Sequence, residues 1–480
     1  MKNILYTRDN LYVLHSLNSQ SVDLIYLDPP FNSKRMYSAP IGSKAAGSSF
    51  KDMWTWQDVN EAYLETLIDR YPALVRFIQS IQDIHSKAMM AYITYMTQRL
   101  IEMHRVLKDT GSLYLHVDPT ASHYLKIVLD RIFGRKNFKN EVVWKRTYAH
   151  SDPKQFGRNR DTIFFYTKTN QYTFNRVYVG YSEKYKDKNF RNKDNRGIYQ
   201  GVTLTGAGTN LNDKEWRGWN PKNSGRHWSV PKKIVNKLVG KQKAERMSIY
   251  ERLDLLYDND YIVFSKNGTP RFKSYLEDLS GTLAQEIWID INPISSQSKE
   301  RTGYPTQKPL ALLQRIIKAS SNAGDVVFDP FCGCATTCVA AQQLDRKWIG
   351  IDIEIKASEI LIDRLSDDAG LFKNFVHLKE NAPLPKRTDI KVEPISTSVK
   401  EKLFEQQEGL CGGCKEEFNI YNFEIDHIIP KSKGGGDYYE NYQLLCGNCN
   451  RIKGDRPMEY LRIKIKARES LLSQKFSFGG

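Results

Sequence analysis

Apolar residues along the first third of the chain fall into short runs separated by helical patterns. The run Val22-Asp23-Leu24-Ile25-Tyr26-Leu27 reads as a buried strand that stops at the breaker pair Pro29-Pro30, which places Asp28 at its C-terminal edge. From about Ala73 to Leu107 the apolar positions recur with helical spacing. Lys108-Asp109-Thr110-Gly111 then turns the chain into a strand over Ser112–Val117, and a second helix is expected from about Ala121 to Phe133. Between about 170 and 300 this rhythm gives way to Gly, Asn, Lys and aromatic residues, the pattern of a mixed, loop-rich insert. Alternation returns from Pro309, with helix Leu310–Ala319, strand Val326–Phe328, helix Thr336–Leu344 and strand Trp348–Ile351. The expected fold class is therefore α/β, an open parallel sheet whose active site lies at the C-terminal strand edges.

Composition adds the number of domains and the class of partner. With 480 residues, 40% hydrophobic and 26% charged, the chain suits two to four globular domains. No apolar run approaches the roughly 20 residues that span a bilayer. Because Met1–Tyr6 enters a strand-like segment with no apolar signal region, a cytoplasmic, membrane-free protein is expected. The formal charge of +16 is uneven: residues 139–245 hold 23 Lys and Arg against nine Asp and Glu. Interleaved with Trp144, Tyr148, Phe156, Trp216, Trp219 and Trp228, this stretch suits a surface that follows a phosphate backbone, and double-stranded DNA is the expected partner. The sequence is compatible with a homodimer and does not fix the oligomeric state.

Two segments carry candidate chemistry. Asp28-Pro29-Pro30-Phe31 offers a carboxylate, a carbonyl held rigid by two prolines, and an aromatic ring. An exocyclic amine on a nucleobase is a weak nucleophile because its lone pair is delocalised into the ring. Asp28 and the Pro29 carbonyl can accept its two N–H bonds and localise that pair, while Phe31 stacks on a base flipped out of the duplex. Some 300 residues later, Val326–Asp329 leads into Pro330-Phe331-Cys332-Gly333-Cys334-Ala335-Thr336, a strand, small-residue turn and helix start where backbone can approach a nucleoside closely. Asp352 ends the next strand 23 residues after Asp329, an offset that suits a ribose diol. Cys332, Cys334 and Cys338 are read as small buried residues, and Asp9 either as a lining residue at the adenine end of the pocket or as a helix cap.

These motifs, in this order, resemble the beta class of amino-group DNA methyltransferases, in which the catalytic motif precedes the target-recognition region and the cofactor motif comes last. Tyr304-Pro305-Thr306-Gln307-Lys308-Pro309 is similar to the segment that flanks the cofactor in that family, and Asn140–Trp144 resembles a late catalytic-half motif. The resemblance implies a Rossmann-like fold that binds S-adenosyl-L-methionine through Asp9, Lys308, Asp329, Phe331, Gly333, Ala335, Thr336 and Asp352, with Asp28, Pro29, Pro30 and Phe31 catalytic. It also implies a catalytic half at 1–169, a target-recognition insert at 170–300 and a cofactor half at 301–380. The family's second glycine is Ala335 here, which is tolerable if its φ is negative. Within the class, Asp in the tetrapeptide goes with adenine N6 and Ser with cytosine N4, so N6 is expected.

Residues 381–399, with three prolines, read as a linker to a cysteine-bearing module at 400–460, followed by a basic tail at 461–480. The knuckles Cys411-Gly412-Gly413-Cys414 and Cys446-Gly447-Asn448-Cys449 supply four thiolates for a closed, structural zinc site. Between and after them, Asp426-His427, Asn441 and Asn450 resemble an HNH endonuclease, whose fold is a small zinc-stapled ββα unit. The resemblance implies His427 as general base, Asn441 as support of its loop, and Asp426 with Asn450 as ligands of a divalent ion such as magnesium. Two other readings are open at this point: an N4-cytosine methyltransferase, and a DNA-binding adaptor whose methyl-transfer site is inactive.

Overall fold

The computed structural model describes residues 3–30, 35–38, 49–52, 67, 68, 70–148, 154–210, 213–369, 383–458, 460–462, 464 and 465. Phe31, the last member of the Asp28 tetrapeptide, and the basic tail beyond 465 lie outside them. The chain divides into a unit of residues 1–177 with 285–480, and a second unit of residues 178–284.

In the first unit the elements run β1 (Ile4–Thr7), α1 (Asn10–Ser16), β2 (Val22–Leu27), a hairpin of β3 (Arg35–Ser38) and β4 (Ser49–Asp52), α2 (Pro72–Ile84), α3 (Lys87–Val106), β5 (Leu107–Val117), α4 (Ser122–Leu129), β6 (Phe138–Lys145) and β7 (Arg160–Thr167). After the second unit come β8 (Ile287–Trp288), α5 (Leu310–Ser320), β9 (Val326–Asp329), α6 (Thr336–Gln343), β10 (Lys347–Asp352) and α7 (Ile355–Ala369). Eight strands form one sheet in the order β1-β10-β9-β2-β5-β7-β6-β8. The first five are mutually parallel, and β7 runs antiparallel to both of its neighbours. Both faces are covered, one by α2 and α3 through Ile78, Met96 and Leu100, the other by α5 and α6 through Leu312, Ile316 and Val339. This burial explains the continuous apolar run of β2, whose one polar member, Asp23, accepts from Val326 N at 2.9 Å and pairs with Lys108 at 2.8 Å.

Two expectations are corrected here. The single helix expected over 73–107 is two helices, because Ser86 adopts extended backbone and its hydroxyl caps α3 by accepting from Met89 N at 3.2 Å. The turn expected at Lys108–Gly111 lies inside β5, as a register shift opposite Val22 and Leu24. Gly111 is needed there, since a Cβ would sit 2.6 Å from Leu107 Cδ1 and 2.9 Å from the Asp23 carbonyl oxygen.

The second unit has a four-stranded antiparallel sheet, ordered Ile262–Phe264, Pro270–Tyr275, Gly197–Thr203, Asn192–Asp194, packed with helices Lys232–Val239 and Ile249–Asp258. Its core holds Trp216 and Trp228, and Trp219 packs against Trp228 with ring centroids 5.2 Å apart. Trp144 in β6 is buried as well, its indole N–H donating to the Ile291 carbonyl at 2.9 Å. Trp144, Trp216 and Trp228 are thus core residues and not surface groups along the basic stretch. Among the described residues of the basic stretch, the exposed aromatics include Tyr148, Phe156, Phe174, Tyr178 and Tyr185.

At the C-terminal end, helix α8 (Thr397–Gln406) precedes a hairpin of β11 (Phe423–His427) and β12 (Tyr442–Cys446), followed by α9 (Gly447–Lys453). Residues 387–389 fasten this module to the turn after α1: Thr388 N donates to Asn18 Oδ1 at 2.8 Å and Ser19 N to Asp389 Oδ2 at 2.9 Å. Lys433 also donates to the Tyr12 hydroxyl of α1 at 2.8 Å. No helix of the described residues is long and apolar enough to cross a membrane.

Candidate functional site

Strands β1, β10, β9 and β2 lie side by side and parallel, so their C-terminal ends deliver Asp9, Asp352, Asp329 and Asp28 to one edge of the sheet. A cavity of about 520 Å³ opens there, bounded by all four carboxylates, by Pro29 and Pro30, and by Tyr304 and Lys308. Residues some 300 positions apart in sequence meet because β9 is inserted next to β2.

The loop after β9 is organised by its acidic flanks. Asp329 accepts from Phe331 N at 3.1 Å and from the Thr337 hydroxyl, which folds the chain back over the strand end. Asp352 accepts from Gly333 N at 2.8 Å and Glu354 N at 2.9 Å, and Cys332 N donates to the Ile351 carbonyl. Burial pushes the Asp329 carboxyl up to about 7 and that of Asp352 up to about 6. Gly333 has φ +50, and a Cβ on it would lie 3.0 Å from the Tyr304 ring. Ala335 is left-handed too, at φ 56° and ψ 33°, so the condition of a negative φ for the alanine is not met. A two-residue left-handed kink is what turns β9 into α6, and Ala335 sustains it while fully buried. Thr336 accepts from Arg364 Nη1 at 2.9 Å, tying the helix start to α7. Cys332, Cys334 and Cys338 are buried, and a Cβ at Gly350 would come within 2.8 Å of Cys338 Sγ and 3.2 Å of Cys332 Sγ, so these thiols fill the space that glycine leaves.

Asp9 is both a lining residue and a cap: it accepts from Leu11 N at 2.8 Å and takes a two-pronged ion pair from Arg99 at 2.9 and 3.2 Å. Arg99 lies over the Tyr95 ring at 3.3 Å and donates to Asn10, whose own amide donates to the Pro330 carbonyl at 2.8 Å. No local motif marks Arg99 or Asn10, and only the packing of α1 on α3 brings them to the cavity. Lys308 ion-pairs with Asp28 Oδ2, joining the segment before α5 to the tetrapeptide. The other oxygen, Asp28 Oδ1, is buried and has no hydrogen-bond partner among the described residues. Beneath it, the Tyr26 hydroxyl meets His116 Nδ1 at 2.9 Å and His116 Nε2 meets Asp161 at 3.0 Å, all three buried. Tyr26 shares the face of β2 that leads to Asp28 by two-residue periodicity, which is the signal that could have found it.

In the C-terminal module the sulfurs of Cys411, Cys414, Cys446 and Cys449 lie within 4.8 Å of one another, the spacing four ligands of one tetrahedral ion need. Backbone N–H groups of Gly413 and Cys446 point at Cys411 Sγ from 3.4 and 3.2 Å, as they do toward thiolates. A shallow hollow beside this knuckle is lined by Asp426, His427, Pro430, Lys431 and Lys453. Asn441 holds the His427 loop: its Oδ1 accepts from Ile429 N at 2.8 Å and its amide donates to the carbonyls of Ile429 and Gly436. Asp426 is engaged by Lys453 Nζ at 3.0 Å and Gln443 Nε2 at 2.8 Å, while the Asn450 amide donates to Glu424. Glu424, Lys453 and Asp437 were not singled out in the sequence. Glu424 precedes Asp426 by two residues on one strand face, and Lys453 lies one helical turn after Asn450, so their spacing carried the signal.

A strand-edge cavity with an orphaned catalytic-type carboxylate, beside a glycine-cradled loop and acidic strand ends, defines the class of nucleoside-cofactor group transferases on an α/β sheet. Within it the chain belongs to the DNA methylase family of the N6/N4 type, whose pattern matches residues 22–363, and it carries an HNH endonuclease domain at residues 411–456. It is 28% identical over 430 residues to the Type II methyltransferase M.EcaI of Enterobacter cloacae, covering 88% of this chain and 79% of that one. The Type III restriction-modification enzyme StyLTI Mod subunit of Salmonella typhimurium is 27% identical over 72% of this chain, which spans half of that protein's length. The DNA adenine methyltransferase YhdJ of Escherichia coli is 24% identical over 74% of this chain and 80% of its own.

Proposed function

We propose that the chain methylates adenine N6 in double-stranded DNA and that its HNH domain cuts DNA, the pair acting as modification and restriction. The observation that carries the first half is Asp28 Oδ1, an acceptor buried at the cavity with no donor to it among the described residues, while Lys308 holds the other oxygen. A flipped adenine fills that vacancy: its amino group donates one N–H to Asp28 Oδ1 and the other to the Pro29 carbonyl, leaving the nitrogen lone pair free to attack. S-adenosyl-L-methionine supplies the electrophilic methyl group when bound. Gly333 and Ala335 would let the loop backbone come close to that cofactor and Asp352 would accept from its ribose diol, while Asp329 fixes the loop through Phe331 N and Thr337. Pro30 lines the same cavity, and the family resemblance gives Phe31 the role of stacking on the base. Transfer of the methyl group from the sulfonium sulfur to the nitrogen would leave the nitrogen one proton to lose, and the Asp28 carboxylate is the acceptor in hydrogen-bond reach.

In the HNH domain, His427 takes a proton from water that attacks phosphorus, and Asn441 fixes its loop. Asp426 and the Asn450 amide oxygen would hold a divalent ion such as magnesium, which would supply charge stabilisation at the phosphate. The four cysteines hold structural zinc.

The test is transfer of a labelled methyl group from S-adenosyl-L-methionine to unmethylated duplex DNA, with identification of the nucleoside. N6-methyladenine that is lost in Asp28→Ala is the expected result. N4-methylcytosine moves the target to cytosine, and no cofactor binding at all leaves a DNA-binding adaptor. For restriction, unmethylated DNA is cut and premethylated DNA spared, and equal cutting of both refutes the pairing of activities.

A further inference from the structure

One carboxylate beside the HNH site has no role in the chemistry above. Asp437 lies in the loop between β11 and β12 and is no part of the His427, Asn441, Asn450 pattern. Its Oδ1 is 2.9 Å from His427 Nε2 and 3.2 Å from the Tyr442 hydroxyl oxygen, and its Oδ2 pairs with Lys431 at 2.7 Å. Its backbone is fixed as well: the Asp437 carbonyl accepts from Glu393 N at 2.9 Å, and the Tyr442 hydroxyl donates to the Glu393 carbonyl at 2.8 Å as a second bond. His427 is opposite Tyr442 in the hairpin register, and their rings meet edge to face at 5.1 Å. The imidazole is thus clamped between a tyrosine face and a carboxylate that is itself held from three sides.

We propose that Asp437 is the positioning residue of the nuclease site, fixing His427 in the Nε2–H tautomer so that Nδ1 is the nitrogen that takes the proton from water; this rests on the nuclease reading of the HNH domain. A carboxylate can only accept, so the ring nitrogen facing Asp437 must carry the hydrogen, and in a neutral imidazole the other nitrogen then holds the lone pair. The Lys431 ammonium beside Asp437 holds its carboxyl below the usual range and keeps it in the accepting form. In the reaction the water O–H bond breaks toward Nδ1, the water oxygen bonds phosphorus, the P–O bond to the leaving oxygen breaks, and that oxygen takes a proton from solvent. Asp437 exchanges nothing and orients the base, the role an acid plays behind a catalytic histidine in hydrolase triads.

The discriminating variant is Asp437→Asn. The Lys431 ammonium, which can only donate, lies 2.7 Å from one of the Asp437 oxygens. The asparagine oxygen therefore turns to the Lys431 ammonium and its NH2 faces His427. Nε2 must then accept, the hydrogen moves to Nδ1, and the base is lost without loss of volume. In the full chain, with ring-labelled histidine and His427→Gln for assignment, nitrogen NMR is expected to show Nε2–H in the wild type and Nδ1–H in Asp437→Asn. Magnesium-dependent cleavage falls by about 100-fold, within the span of a lost general base, while zinc content and methyl transfer are unchanged. Retention of Nε2–H in Asp437→Asn, or Nδ1–H in the wild type, overturns the proposal, as does cleavage within about 3-fold of wild type when His427→Ala abolishes it. If the wild type cuts no DNA, the nuclease reading fails, and the ring tautomer still decides whether Asp437 sets it. If Asp437→Asn loses its zinc, the wild-type spectrum decides alone: Nε2–H supports the proposal and Nδ1–H overturns it.

Discussion

Lowering pH should strip the cofactor from the methylase, and the size of the effect follows from two buried carboxyls. Burial raises Asp329 to about 7 and Asp352 to about 6, against opposing hydrogen bonds from Thr337 and Phe331 N in the first case and Glu354 N and Gly333 N in the second. S-adenosyl-L-methionine carries a sulfonium charge and a ribose diol whose hydroxyls must donate, so it binds the ionised forms. For a carboxyl raised in the free protein, ligand affinity is complete above its pKa and is lost as pH falls through it. If both must be ionised, affinity at about pH 5.5 is weaker than at about pH 8 by roughly 100-fold, most of it from Asp329. Isothermal titration across that range measures it, with proton release on binding as a second readout near neutrality. Asp352→Asn should weaken binding at all pH values and remove the lower step, leaving a single transition near that of Asp329. S-adenosyl-L-homocysteine, which lacks the sulfonium charge, should show a shallower slope. Affinity that stays within about 3-fold from pH 5.5 to 8 would refute the assignment of these carboxyls to the cofactor.

Other outcomes follow from single positions. Ala335→Gly relieves about 1–2 kcal/mol of left-handed strain but loses a buried methyl worth about 0.8 kcal/mol and adds chain entropy of about 0.5–1 kcal/mol, so thermal unfolding should shift by no more than about 3 °C. Cys446→Ser, or zinc chelation, should expose the amides of the 423–427 and 442–446 hairpin to hydrogen exchange while methyl transfer continues, since a module of this size depends on its metal. Gly434→Val places a Cβ 2.4 Å from the Tyr12 carbonyl oxygen at φ +89, and should cost more than about 2 kcal/mol or release the HNH domain from α1, read as new protease cleavage within residues 383–396.

Much of this chemistry was legible without coordinates because it is local. A strand that ends at Asp-Pro-Pro, a small-residue turn into a helix, and two cysteine knuckles each carry their geometry within a dozen residues, through backbone restriction and ligand spacing. The order of the motifs added the family. The conformation of Ala335 stays open in the sequence, since the sign of φ depends on how the loop must bend between β9 and α6. The tryptophans of the basic stretch were read by composition, and composition does not say which rings a core will take.

What the sequence by itself determined is therefore the α/β class, the motifs and their chemistry, because strand ends, turns and metal knuckles are fixed by short-range sterics and spacing. Only the tertiary structure decided which groups face each other: Lys308 on Asp28 across 280 residues, Arg99 on Asp9 across 90, Asp437 behind His427. Those pairings depend on which strands become neighbours and how helices pack on them, and packing is a property of the whole buried surface that no short segment contains.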